Sequence, residues 1–203
     1  MYLYYFIVVN ILLNKNQNIN STYFFNFSMN LKSVIRTIPN WPKKGIMFRD
    51  ITTLLKDAKA FEFVIDEFYK RYKDDDIDLV AGIESRGFIL GGALAYKMKK
   101  AFIPIRKAGK LPSDTEKEKY ELEYGSAVVE VHKDAIKPDQ KVLLIDDLVA
   151  TAGTLVASIS LIEKLGGFVI ECAVIVELPD LHGREIIEKK GNKLFSLVKF
   201  EGE

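Results

Sequence analysis

Short apolar runs alternate along this chain with longer segments whose apolar residues return every three or four positions, and that alternation leaves few folds open. Asp78 to Ile83, Ala101 to Ile105, Ala127 to Val131, Lys141 to Ile145 and Phe168 to Val176 read as strands. Between Asp57 and Tyr72, apolar Phe61, Val64, Ile65, Phe68, Tyr69 and Tyr72 recur at helical spacing, which predicts one face of an amphipathic helix. Gly87 to Lys100 reads as a second helix, ending in lysines that suit its C-terminus. Thr154 to Leu165 is a third, with Leu155, Ile159 and Ile162 on one face and Gly166-Gly167 to stop it. Strands alternating with helices predict an α/β fold: a mostly parallel, twisted sheet wound on both sides by helices. Two stretches break the pattern. Ile38-Pro39-Asn40-Trp41-Pro42 carries two prolines and predicts a loop or covering arm. Arg106 to Glu123 is mostly charged or turn-forming, and so long a polar excursion predicts a functional lid or disorder.

The 203 residues amount to about one domain. Residues 1–28 differ from the rest: Lys15 is the only charge, asparagine occurs six times and eight of the chain's 23 aromatic residues fall there. The apolar run Met1 to Leu13 lacks the basic start of a signal peptide and falls short of the roughly 20 apolar residues that cross a bilayer. The expectation is that residues 1–28 are a leader or poorly ordered extension, with Met29 the true start, and that residues 29–203 form a single domain without a membrane anchor. Against 29 lysines and arginines stand 28 acids, so a net charge of +1 leaves no footprint for a nucleic-acid partner. One cysteine cannot form an internal disulfide, and with two histidines it is too little for a usual structural zinc site. Cys172, in a strand pattern, reads as core, and His132 and His182 as structural or surface residues.

The sharpest local signal runs from Val142 to Thr154: a buried strand, then Asp146-Asp147, then the small-residue turn Ala150-Thr151-Ala152-Gly153 opening a helix. In open α/β sheets, ligands bind beyond the carboxyl ends of the strands. Small residues there admit a close approach, and the N–H groups of a helix start can hold a phosphate. Two adjacent carboxylates beside such a cradle repel each other unless hydroxyls or a cation lie opposite, so a ribose diol and magnesium would satisfy them. No Gly-Lys-Ser/Thr follows the turn and no Gly-x-Gly-x-x-Gly occurs, so the usual triphosphate and dinucleotide loops are absent. The turn alone is equally compatible with Asp147 or Thr154 serving as a helix cap.

With four further blocks the segment resembles the type I phosphoribosyltransferases, and among them the adenine-specific family. The blocks are Pro42-x-x-Gly45-x-x-Phe48-Arg49-Asp50-Ile51-Thr52, Glu84-Ser85-Arg86-Gly87-Phe88, Ile105-Arg106-Lys107-x-Gly109-Lys110-Leu111-Pro112 and Leu122-Glu123-Tyr124-Gly125. The resemblance spans about Ile35 to Phe200. It implies the type I fold with a small hood and a flexible lid, and transfer of a 5-phosphoribosyl group from phosphoribosyl pyrophosphate to adenine, giving AMP and pyrophosphate in purine salvage. It implies that Asp146 and Asp147 contact the ribose hydroxyls and that Ala150, Thr151, Ala152, Gly153 and Thr154 wrap the 5′-phosphate. It further implies that Glu84, Ser85 and Arg86 hold the pyrophosphate, commonly through a strained cis peptide that would fall at Glu84-Ser85. Arg106, Lys107 and Lys110 would form the basic side of that pocket. Phe48 would stack on adenine between Met47 and Arg49. Glu123 would manage a proton on the purine from the lid tip, beside Tyr124, and Arg86 would assist catalysis at the leaving group. Mg2+ would ride on the pyrophosphate and ribose hydroxyls near Asp146 and Asp147 without direct protein ligands. A cytoplasmic homodimer is the usual form.

The family commonly has glycine where this chain has Ala152. A methyl there is harmless at negative φ and costly at positive φ. Two rival readings are another purine base as substrate, and a non-enzymatic sensor of phosphoribosyl pyrophosphate. The sensor is disfavoured, because only a nearly uncharged piece precedes the domain and DNA affinity needs lysine and arginine.

Overall fold

In the computed structural model, which describes residues 29–121 and 126–202, the two-proline segment turns inside a small antiparallel ribbon. One helical turn, Leu31–Val34 (α1), leads into Arg36–Pro39 (β1), and Met47–Asp50 (β2) returns beside it with Ile38 opposite Phe48. The loop between them holds the cis bond Trp41-Pro42 and Gly45 at φ 95°. Trp41 meets the Phe48 ring edge-on, 4.3 Å between centroids. This ribbon is the hood. The expectation for residues 1–28 lies outside the described residues.

Thr52–Leu55 (α2) follows, and then Asp57 accepts the N–H groups of Lys59 and Ala60, so Ala58–Tyr72 (α3) begins just past that acid. Next come Leu79–Ile83 (β3), Glu84–Met98 (α4), Ala101–Lys107 (β4), Thr115–Glu121 (β5), Ser126–His132 (β6), Lys141–Val149 (β7), Gly153–Lys164 (α5) and Phe168–Glu177 (β8). A 3-10 turn at Pro179–Leu181, the helix Gly183–Lys189 (α6) and the strand Leu194–Lys199 (β9) complete the described chain. Seven strands form one sheet in the order β5-β6-β4-β3-β7-β8-β9. β4, β3, β7, β8 and β9 run parallel, while β6 and β5 are antiparallel additions at one edge. The chain leaves β3 toward β4 on one side and later returns to β7 on the other. The carboxyl ends of β3 and β7 therefore flank a switch point, where open α/β sheets bind ligands.

β7 explains why the sheet is central. Leu143 and Ile145 join the core beneath α3 and α4, whereas Val142 and Leu144 join the core beneath α5, all four fully buried. Alternate residues of one strand serve opposite faces.

Two expectations change. α4 begins at Glu84 rather than Gly87. The polar excursion is not structureless throughout, since Thr115–Glu121 is a strand paired along its length with β6. Its periodicity is carried by charge instead of apolar residues. Glu116 and Glu118 lie 3.8 and 2.6 Å from Lys164 of α5, and Lys117 lies 3.7 Å from Glu130 of β6. Opposite charges paired across a sheet stabilise it as apolar pairs do.

Candidate active site

At the switch point a cleft of about 460 Å³ opens between the hood and the carboxyl ends of the strands. Asp146 and Asp147, near the carboxyl end of β7, line it, and Gly87 lets the start of α4 lie against them. A Cβ on Gly87 would stand 3.0 Å from the Ile145 carbonyl oxygen and 3.5 Å from Asp146 Oδ1. Asp146 Oδ1 accepts the N–H of Asp147 at 2.8 Å. Burial, and then the Asp147 charge beside it, push the Asp146 carboxyl well above the usual carboxylate range. Arg86 Nε lies 2.9 Å from Asp147 Oδ2, yet this buried oxygen receives no aligned hydrogen bond. It keeps an acceptor for a ligand hydroxyl.

The turn after β7 lines the same cleft from Ala150 to Thr154. Ala152 sits at φ 64°, the left-handed region, where its methyl is strained. No side chain caps α5, so the helix-cap alternative for Asp147 and Thr154 is not realised. The first-turn N–H groups, which a helix leaves without internal partners, belong to residues that wall the cleft.

On the neighbouring rim the adjacent ends of β3 and β4 bring Glu84 and Ser85 beside Arg106 and Lys107. The Glu84 carboxylate accepts the Lys107 N–H and stands 4.0 Å from Arg106 Nε. Arg106 also donates to the Lys110 carbonyl at 3.3 Å, and its guanidinium lies 5.7 Å from the Phe88 ring centre. These residues cluster with one another, but of the expected pyrophosphate group only Arg86 lines the cleft itself. The expected cis peptide at Glu84-Ser85 is absent: the bond is trans, and the strain falls instead on Glu84, at φ 46°. The close-packed helix start beneath it is met by a left-handed residue rather than by a turned amide.

Met47, Phe48 and Arg49 form the hood wall of the cleft. The Arg49 side chain is committed elsewhere, donating to Thr37 Oγ1 at 2.7 Å and lying 4.4 Å over the Phe200 ring. Leu178, Leu181 and Tyr120 line the cleft as well. Sequence reading missed these three, together with Ile46 and Leu148. Leu178 follows directly on β8, so the rule that sites gather beyond strand ends could have found it. Glu123 and Tyr124 lie outside the described residues. Cys172 is buried in the core as expected, and desolvation pushes its thiol up to about 12. His182 Nδ1 stands 3.1 Å from Glu185 at the surface. Among the described residues no three His, Cys, Asp or Glu side chains gather to hold a metal ion.

Residues 52–200 match the family described as "Phosphoribosyl transferase domain". Over 177 residues the chain is 57% identical to an adenine phosphoribosyltransferase of Chlorobium phaeovibrioides, which covers 86% of this chain and all of that protein. Its backbone matches the adenine phosphoribosyltransferase of Thermoanaerobacter pseudethanolicus at a TM-score of 0.79 and 48% identity, over 83% of this chain and 97% of that one. It also matches an APRTase of Giardia lamblia complexed with 9-deazaadenine, at a TM-score of 0.80 and 41% identity, covering 84% and 96%. By motif, sequence and backbone alike, the chain belongs to the adenine phosphoribosyltransferase family.

Proposed function

We infer that this chain transfers the 5-phosphoribosyl group of phosphoribosyl pyrophosphate to adenine, giving AMP and pyrophosphate and so salvaging the purine. The observation that carries this reading is the meeting, in one cleft, of an acidic strand end, an uncapped helix start and an aromatic wall. Hydroxyls of a ribose fit the Asp147 oxygen that lacks a hydrogen bond. A 5′-phosphate fits the turn from Ala150 to Thr154, where each hydrogen bond to the charged group contributes about 1.5–3 kcal/mol. The Phe48 wall of the cleft suits a flat base.

Displacement of pyrophosphate from C1 by a purine nitrogen builds positive charge on the sugar and negative charge on the leaving group. Positioning and electrostatics can carry such a step without a covalent nucleophile. Asp146 and Asp147 orient the sugar through its hydroxyls, and Arg86 grips the departing phosphates. Arg106, Lys107 and Lys110, with the Glu84-Ser85 turn, complete that side as ligand and side chains draw together. Glu123 exchanges the purine proton when the lid tip, with Tyr124, covers the base and excludes water. The acidic pair fits a Mg2+ ion carried on pyrophosphate and diol, which when bound neutralises the charge on the leaving group. A cytoplasmic homodimer completes the reading. In its support, no helix among the described residues is long and apolar enough to cross a membrane, and α4 presents Ile89 and Tyr96 outward, Tyr96 89% exposed.

The test offers adenine, hypoxanthine, guanine and xanthine separately to the purified chain with magnesium and phosphoribosyl pyrophosphate, and identifies products by chromatography. Conversion of adenine alone, to AMP and pyrophosphate, is expected. Preference for another base would overturn the assignment of the Phe48 wall. Tight binding without turnover would overturn catalysis.

A further inference from the structure

The loop that follows β4 is folded around a carboxylate. Glu130 of β6 is 1% exposed, a rare setting for a charge unless its partners are complete. Its Oε1 accepts the N–H groups of Lys110 at 2.9 Å and Leu111 at 3.0 Å. Its Oε2 accepts the Thr115 hydroxyl at 3.3 Å and stands 3.7 Å from Lys117 Nζ. Burial alone would raise its carboxyl, but the N–H groups of Leu111, Gly109 and Lys110, with the Lys117 charge, hold it below the ordinary glutamate value. A run of N–H groups converging on one anion is the arrangement by which loops bind phosphate; here the anion is built into the protein. The loop is closed from its other side, where Ala108 donates to the Val128 carbonyl at 3.0 Å and Arg106 to the Lys110 carbonyl. Gly109 turns the chain at φ 81° in open space. Among the described residues, no ion pair engages the Lys107 or Lys110 ammonium.

We propose that Glu130 is a positioning residue for the leaving-group side of the site: by holding the backbone from Gly109 to Leu111 it sets where Lys107 and Lys110 stand beside the Glu84-Ser85 turn. The inference rests on the pyrophosphate reading of those two lysines. Glutamine in its place keeps one acceptor but puts an amide where the Lys117 ammonium and the Thr115 hydroxyl now meet a carboxylate, so the loop loses its charged centre.

The experiment measures steady-state kinetics of the full chain with both substrates varied, together with pyrophosphate binding in magnesium. Glu130→Gln is expected to raise the KM for phosphoribosyl pyrophosphate and weaken pyrophosphate binding about tenfold, because charge-assisted hydrogen bonds are about twice as strong as neutral ones. The KM for adenine should stay unchanged. Gly109→Ala strains the same loop from the solvent side, where the added methyl touches nothing, and should give the same split even if the glutamine variant fails to fold. Lys110→Ala tests the reading beneath. If Lys110→Ala leaves pyrophosphate binding intact, the assignment of this loop falls and the proposal with it. If Lys110→Ala weakens binding while Glu130→Gln and Gly109→Ala lower only kcat or the unfolding midpoint, Glu130 is structural and the proposal is overturned.

Discussion

Ala152, where the resemblance leads one to expect glycine, has a φ of 64°, the side on which a methyl is costly. A left-handed alanine costs about 1–2 kcal/mol, offset in part by the freedom glycine loses on folding. Ala152→Gly should therefore leave folding stability unchanged or raise it by about 1 kcal/mol. It should also preserve or tighten the binding of phosphoribosyl pyrophosphate; weaker binding in titration calorimetry would refute this. Asp50 gives a pH effect with a definite sign. The Arg36 hydrogen bond, against an opposing burial effect and aided by Thr52, lowers its carboxyl from 3.8 to about 2. A depressed folded pKa contributes stability above the unfolded value that is lost as pH falls through the folded one. Asp50→Asn should lower stability at neutral pH and flatten the loss between pH 3.8 and about 2, as read from urea midpoints across that range. At this scale the sequence was legible where chemistry is local. Asp146, Asp147 and the turn after them stand together in the chain and together in the cleft. Leu178, Leu181 and Tyr120 were not, because an apolar residue that faces a ligand has the same composition signal as one that faces the core.

Among the elements, α6 presses on the turn after β7. A Cβ on Gly183 would stand 2.1 Å from the Ala150 carbonyl oxygen and 2.8 Å from Val149, so the helix start and the turn share one space. Arg184, next in the chain, holds that helix to β8 by donating to both Glu177 oxygens at 2.8 and 2.6 Å. Gly183→Ala must push the turn aside. The expected outcome is a loss of about 1–3 kcal/mol in thermal unfolding, with a raised KM for phosphoribosyl pyrophosphate and an unaltered KM for adenine. The parallel strands β3, β4, β7 and β8 and the three long helices were legible because burial imposes its period on them, whereas β9, mostly half-buried, was passed over. β5 was not legible either. It lies at the sheet edge and is held by charge against Lys164 and Glu130, so its period-two signal appears only when the sign of each residue is followed.

For the whole molecule, one sheet divides two cores, and β7 belongs to both. Leu143→Ala and Leu144→Ala open cavities on opposite faces, and each should cost about 2–5 kcal/mol. Both should leave a single transition, because neither core has a wall of its own. Trp41, the chain's single tryptophan, stands in the hood, so its fluorescence follows the hood while far-ultraviolet circular dichroism follows the sheet. Coincident midpoints are expected in both variants; separated ones would make the hood an independent unit. The homodimer reading places association on the outward face of α4, so Tyr96→Glu should shift the sedimentation coefficient to that of one chain. The order of elements sufficed to predict a sheet with helices on both sides, but not its antiparallel edge, whose pairing depends on residues far apart in sequence. That edge has one more consequence. An outermost strand offers unpaired amides to any neighbour, and proteins discourage such pairing with charged side chains. The alternating Glu116, Lys117, Glu118 and Lys119 of β5 thus guard the molecule against stacking into aggregates, and a chain stripped of them would lose solubility before it lost its fold.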